Sequence, residues 1–168
     1  FIEKYMSMYE AQFTQSEDGK GLIVKREFDA PLSKVWDAHT KNELLEQWWA
    51  PLPWKAVTKS YDFCEGGHWH YYMAGPQGEQ FWSWLGYHDI HPQKSFSADD
   101  YFCDEAGAKN ADLPGTSWTV EFAEENGRTT LVSHITFATA EDLKKLTEMG
   151  MKEGYTMGLN QLEKLLAQ

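Results

Sequence analysis

The sequence is short of positive charge. Lysine and arginine together number 15 against 26 acidic residues, a net charge of −11. A chain so acidic repels a phosphate backbone, and no basic stripe offsets the imbalance, so nucleic acid is not expected as a partner. Anionic membrane surfaces are disfavoured for the same reason. No apolar run approaches the roughly 20 residues of a membrane-spanning helix. The first residues lack the basic segment, apolar stretch and small-residue cleavage site of a signal peptide. Cysteine is scarce: Cys64 and Cys103 stand far apart in strand-like surroundings. Two reduced thiols in a cytoplasmic protein are expected rather than a disulfide. The sequence contains no Cys-x-x-Cys, His-Glu-x-x-His or Gly-x-Ser-x-Gly spacing and no Gly-rich phosphate loop. Neither a metal nor a cofactor is expected.

Aromatic residues, by contrast, are plentiful: 8 Trp, 8 Tyr and 9 Phe in 168 residues. A chain of this length builds one domain with a real core, and so many rings must fill that core or line a cavity. They concentrate in "ELLEQWWAPLPW", residues 43–54. Neighbours on a helix lie about 100° apart, so Trp48 and Trp49 point in different directions. One ring is expected to plug the core and the other to border a cavity mouth.

Element patterns follow from periodicity. Ile2, Tyr5, Met6, Tyr9 and Phe13 fall at helical spacing, so residues 1–20 read as an N-terminal extension carrying an amphipathic helix before the turn "SEDGKG". Gly21–Phe28 reads as a strand. Pro31 suits the first turn of a helix that carries Val35 and Trp36 inward. "TKNE" at 40–43 reads as a capping box, with Thr40 capping free amides and Glu43 reaching back. The helix it opens runs through Leu44, Leu45 and Trp48 until Pro51. Residues 55–137 contain six β runs joined by short turns, an antiparallel meander. Residues 139–167 read as one long helix, with Thr139 and Asp142 as its capping pair. The order is strand, two helices, six strands, long helix. It defines an α+β fold: a curling sheet of about seven strands with the last helix packed across it, over residues 21–168.

The hairpin at "GPQG" assigns the sheet faces. If 75–78 is the loop, odd positions on one strand meet even positions on the next. Trp69, Tyr71 and Met73 then share a face with Trp82, Trp84 and His88, and this Trp-rich face is expected to point inward. His68, His70, Tyr72, Phe81, Ser83 and Leu85 take the other face. Alternation continues the inner face through Trp118, Val120, Phe122, Leu131, Ile135 and Phe137. On the last helix, Gly150, Gly154 and Gly158 form one stripe, and each costs about 1 kcal/mol in a helix interior. Close approach to the sheet and room for a ligand are the two compatible reasons for it, with Met151, Tyr155 and Leu162 on or beside it.

Isolated polar features read as structural. His68, His70 and His88 carry a metal-like residue type, but the pairing places His88 across the sheet from the other two, and they read as solvent-facing strand histidines. His134 alternates away from the core. Arg26 is expected at the solvent edge, the alternative being an inward group that orients a polar ligand head. Asp99, Asp100, Asp104 and Glu105 read as a solvated acidic face, with calcium as the alternative.

"REFDAPLSKVWDAHTKNELLEQWWAP", "DFCEGGHWHYYMAGPQGEQFWSWLGYHDIHP" and "MGMKEGYTMGLNQLEKLLA" occur in this order. Together they make residues 22–167 resemble the START-like (SRPBCC) superfamily, in the branch named after the activator of the 90-kDa heat-shock-protein ATPase. The resemblance implies a helix-grip fold, a curved antiparallel sheet wrapped around the C-terminal helix with a cavity between them. The superfamily uses that cavity for lipids, sterols, polyketides and other apolar molecules. The cavity candidates here are Trp36, Trp48, Trp49, Trp69, Tyr71, Trp82, Trp84, Trp118, Met151, Gly154, Tyr155 and Gly158. Three functions follow: a binder of a small apolar or aromatic molecule, an enzyme of the polyketide cyclase type using the same cavity, or a chaperone-associated interaction module. A carboxylate or His buried in the cavity favours the enzyme. The resemblance also allows a homodimer, for which no residue argues.

Overall fold

The computed structural model describes residues 10–168. Eight strands form one antiparallel sheet: β1 (Gln12–Gln15), β2 (Gly21–Phe28), β3 (Lys55–Asp62), β4 (His68–Ala74), β5 (Gln80–His91), β6 (Ser95–Phe102), β7 (Thr116–Glu125) and β8 (Arg128–Phe137). Their spatial order is β1-β2-β8-β7-β6-β5-β4-β3. Helices α1 (Leu32–Thr40) and α2 (Asn42–Trp48) carry the chain between β2 and β3, from one end of the sheet to its far edge. Helices α3 (Ala140–Glu148) and α4 (Met151–Leu166) close the domain. No helix among the described residues is long and apolar enough to cross a membrane.

The six central β runs and their antiparallel order agree with the sequence reading. β1 adds an edge strand that the sequence reading lacks. It pairs Gln12 with Lys25 and Gln15 with Leu22. The expected helix over Ile2–Phe13 lies mostly outside the described residues, and at Phe13 the chain is strand.

Alternation sorts the sheet into a buried face and an outer one. Leu22, Val24 and Phe28, Leu131, Ile135 and Phe137, Val120 and Phe122, Phe96 and Ala98, and Trp69 and Tyr71 all turn inward and are buried. They pack against Val35 and Trp36 of α1, Leu45 and Trp48 of α2, and Leu159 and Leu162 of α4. The β4–β5 register differs from expectation by one residue. The Gly75 amide donates to the Glu79 carbonyl at 2.9 Å and Ala74 pairs with Gln80, so the loop is 75–79 and odd positions face odd ones. Trp69, Tyr71 and Met73 therefore share the inner face with Leu85, Ser83 and Phe81, and Trp82 and Trp84 lie on the outer face with His68 and His70.

Two helix signals need correction. The Thr40 hydroxyl donates back to the Trp36 carbonyl at 3.0 Å, and α2 begins from an extended Lys41 with no side-chain cap. A hydroxyl committed to the turn behind it cannot cap the turn ahead. The C-terminal helix is two helices, not one: Gly150 sits between α3 and α4 with φ +94°, a left-handed conformation suited to glycine after a helix end. The Thr139 cap is present, its hydroxyl accepting from the Asp142 amide at 3.0 Å.

The three glycines consequently have separate jobs. A Cβ on Gly158 would lie 3.3 Å from the Trp49 carbonyl oxygen and 3.4 Å from that of Trp48, so this glycine permits close packing of α4 on the end of α2. A Cβ on Gly154 would meet nothing within 4 Å. Gly154→Ala is expected to raise stability by about 1 kcal/mol through helix propensity. Gly150→Ala is expected to lower it by about 1–2 kcal/mol through left-handed strain. Urea unfolding of both variants checks the opposite signs; equal effects would contradict the helix break.

Candidate functional site

A hollow of about 400 Å³ lies between the β4–β7 part of the sheet and the α3–α4 junction. Tyr71 and Met73 of β4, Phe81 and Ser83 of β5, Phe102 of β6 and Thr116 and Trp118 of β7 form the sheet side. Trp49, Pro51 and Trp54 close it from the segment after α2, and Leu146, Met149, Gly150, Met151, Gly154 and Tyr155 form the helix side. The break at Gly150 and the bare backbone at Gly154 remove side chains that would otherwise fill this space.

Trp49, Trp118 and Tyr155 form the inner end of the hollow. Their ring centroids lie 6.2 Å apart for Trp49–Trp118, 6.1 Å for Trp49–Tyr155 and 5.1 Å for Trp118–Tyr155. The same three rings also line a separate void of about 20 Å³ in the core, together with His39, Trp69 and Tyr87. Most polar atoms of the wall are paired. Trp49 Nε1 donates to the Tyr71 hydroxyl at 2.8 Å and Trp118 Nε1 to Thr116 Oγ1 at 2.9 Å, and the Tyr155 and Ser133 hydroxyls share a bond of 2.9 Å.

Asp100 is different. It follows Phe96 and Ala98 on the inward side of β6, pairs with Leu85 and Thr116, and lines the hollow. No described residue gives its carboxyl a hydrogen bond, and burial pushes its pKa up to about 7. The protonated and ionised forms are thus both accessible near neutral pH, as proton transfer requires. Burial likewise holds the Tyr71 and Tyr155 phenols above their usual range, Tyr155 at about 12. Sequence reading missed Asp100 by grouping it with its acidic neighbours. Alternation from Phe96 and Ala98 was the signal that could have found it. The rest of that cluster is structural: Asp99 accepts from the Ser117 hydroxyl, and Asp104 accepts from the Ala106 and Ala108 amides of its own loop.

Trp49, Tyr71, Trp118, Met151, Gly154 and Tyr155 face the hollow. The other sequence candidates do not. Trp36 is buried against Phe63, Phe96 and Phe122, and Trp69 is fully buried, bordering only the small void. Trp48 is fully buried too, its Nε1 donating to the Ala38 carbonyl at 2.8 Å. Trp82 and Trp84 lie on the outer face because of the register, and Gly158 packs on backbone.

Arg26 is not at the solvent edge. It is 1% exposed, and its guanidinium donates to Asn160 Oδ1 at 2.8 Å and pairs with Glu163 at 3.4 Å, so it ties β2 to α4 rather than reaching the hollow. With the corrected register His88 falls on the same sheet face as His68 and His70. Each histidine nevertheless has its own partner: Ser60 for His68, the Asp104 carbonyl for His70, and Asp89 and Asp99 for His88. His70 is buried rather than solvent-facing. Among the described residues no cluster of three or more His, Cys, Asp or Glu is arranged to hold a metal ion, and Cys64 and Cys103 are free thiols.

A curved antiparallel sheet gripping a C-terminal helix, with a hollow between them, defines a helix-grip protein of the START-like class, a fold used for ligand binding. The chain belongs to the family described as Activator of Hsp90 ATPase homolog 1-like protein, whose profile matches residues 29–167. A crystal structure of a Mycobacterium smegmatis protein superposes with a TM-score of 0.84 at 32% identity, over 92% of this chain and 95% of that one. Solution structures of an Arthrobacter aurescens protein (TM-score 0.87, 31% identity, 93% and 91% covered) and a Staphylococcus epidermidis protein (0.82, 33%, 94% and 94%) are similar. No curated protein matches the sequence.

Proposed function

We propose that the protein binds one small, flat and largely apolar molecule in the hollow between the sheet and α3–α4. The observation that carries this reading is a concave space of about 400 Å³ walled by Trp49, Tyr71, Met73, Trp118, Met151 and Tyr155, with a single carboxyl among the described residues inside it. Pockets of this kind combine broad apolar walls with few polar groups that orient the ligand. Methionines at two sides let the wall adapt to an irregular shape. The second reading is an enzyme that moves a proton through Asp100, favoured by that carboxyl's pKa of about 7. A chaperone-associated role has only the family's name behind it.

The test is a panel of neutral bicyclic aromatics read by tryptophan emission, with Gly154→Leu as control. The added side chain points into open space, so Gly154→Leu is expected to fold normally yet lose at least tenfold in affinity. A panel that leaves the emission of the wild type unchanged, or binding that Gly154→Leu does not weaken, overturns the reading. If the protein is the enzyme, Asp100→Asn abolishes turnover and leaves binding of neutral compounds intact.

A further inference from the structure

We propose that the hollow selects cations: its ligand is an apolar amine or quaternary ammonium whose charged head lies against Asp100 and the surrounding rings. The inference rests on the binding role proposed above and names the ligand class. Its first support is the unpaired carboxyl. A partly buried carboxylate to which no described residue donates is poorly solvated, and a ligand cation supplies the missing partner. Among the described residues no Lys, Arg or His lines the hollow, so nothing in the wall neutralises Asp100. Its second support is the wall: the rings of Trp49, Tyr71, Trp118 and Tyr155 line the hollow, and aromatic rings attract cations most strongly where water is scarce. Its third is the field of the whole chain, whose net charge of −11 draws cations and repels acids. Amphiphiles with a carboxylate or phosphate head are the ligands this site disfavours.

Three probes with a common phenylethyl body test it: (2-phenylethyl)trimethylammonium, 2-phenylethanol and 3-phenylpropanoate. Titrations at pH 8 are expected to give at least tenfold tighter binding of the ammonium than of the alcohol, and the weakest binding for the carboxylate. The ammonium's charge does not titrate, so its advantage should shrink as pH falls to 5.5 and Asp100 takes up its proton. The other titratable groups around Asp100 are Tyr71 on β4, Tyr87 on β5, Tyr101 on β6, Cys103 beyond β6 and Tyr155 on α4. Burial holds all of them above their usual ranges, Cys103 at about 11, so they stay neutral across this range. His39, beyond the three-ring end wall, is held at about 4 by burial and is also neutral. In Asp100→Asn the ammonium's advantage over the alcohol is expected to fall at least fivefold at pH 8 and to stop varying with pH.

An alcohol that binds the wild type as tightly as the ammonium overturns the cation inference alone and leaves the binding role standing. So does an ammonium preference that Asp100→Asn leaves at its full wild-type size. If none of the three probes binds, both readings fall together. The pH series on the unmodified protein gives its answer even if the variant folds poorly.

Discussion

Asp100→Asn is expected to stabilise the protein by about 2–4 kcal/mol at pH 8 and by less than about 1 kcal/mol at pH 4.5. The carboxyl titrates at about 7 in the folded protein against an ordinary value of 3.8, and the cause is burial. The folded state therefore holds this proton more tightly than the unfolded state does. Its contribution is fully present below pH 3.8 and is lost as pH rises to about 7. At about 1.4 kcal/mol per pH unit the whole shift corresponds to about 4 kcal/mol, and water entering the hollow lowers this toward 2. Asparagine keeps the shape and removes the charge. His39 works in the opposite direction: burial holds it at about 4 rather than 6.5, so its contribution is lost as pH falls through that window. Wild type and variant share His39, and the difference between their urea-unfolding curves isolates Asp100. A difference that does not change between pH 4.5 and 8 would place this carboxyl in water.

Trp48→Ala is expected to cost about 4 kcal/mol, among the largest effects of any single truncation. The indole is fully buried, donates to the Ala38 carbonyl at 2.8 Å and meets the rings of His39 at 4.9 Å and Trp49 at 5.3 Å. Truncation opens a cavity and strands a buried carbonyl. The backbone is committed as well: Gln161 Nε2 donates to the Trp48 and Ala50 carbonyls at 2.8 Å each, tying α4 to the end of α2. Trp49→Phe keeps a ring in the wall of the hollow and loses only the bond to the Tyr71 hydroxyl, about 1 kcal/mol. Stability should thus respond to position 48 and ligand affinity to position 49. Chemical unfolding and fluorescence titration of the two variants separate these roles, and a Trp49→Phe loss as large as that of Trp48→Ala would contradict them.

The fold was legible because its signals are periodic. Alternation in "SWTVEF" and "RTTLVSHITF" placed Trp118, Val120, Leu131 and Ile135 on the inner face, and turn residues separated the strands. What failed depended on single residues. One more loop residue between β4 and β5, closed at Glu79, moved Trp82 and Trp84 to the outer face, because strand side chains alternate. Gly150 looks in sequence like Gly154 and Gly158, and only its left-handed φ separates a helix break from a packing glycine. β1 is four residues long with one apolar side chain, Phe13, too short a run to be told from helical spacing, and it is held by pairing with β2. Arg26 looked too polar to bury, and its partners Asn160 and Glu163 lie far along the chain. Asp100 was masked by Asp99 beside it, although the two point to opposite faces of β6. The pair "WW" was read in outline: Trp48 is buried as a plug and Trp49 faces the hollow.

The most direct test of the central claim is the response of the tryptophan indole N–H resonances to added 2-naphthol, a neutral flat molecule. Trp49 and Trp118 line the hollow, whereas Trp82 and Trp84 lie across the sheet from it. Saturable shifts are expected at Trp49 and Trp118, still resonances at Trp82 and Trp84, and loss of the shifts in Gly154→Leu. Shifts confined to Trp82 and Trp84, or none at any indole, would contradict that claim.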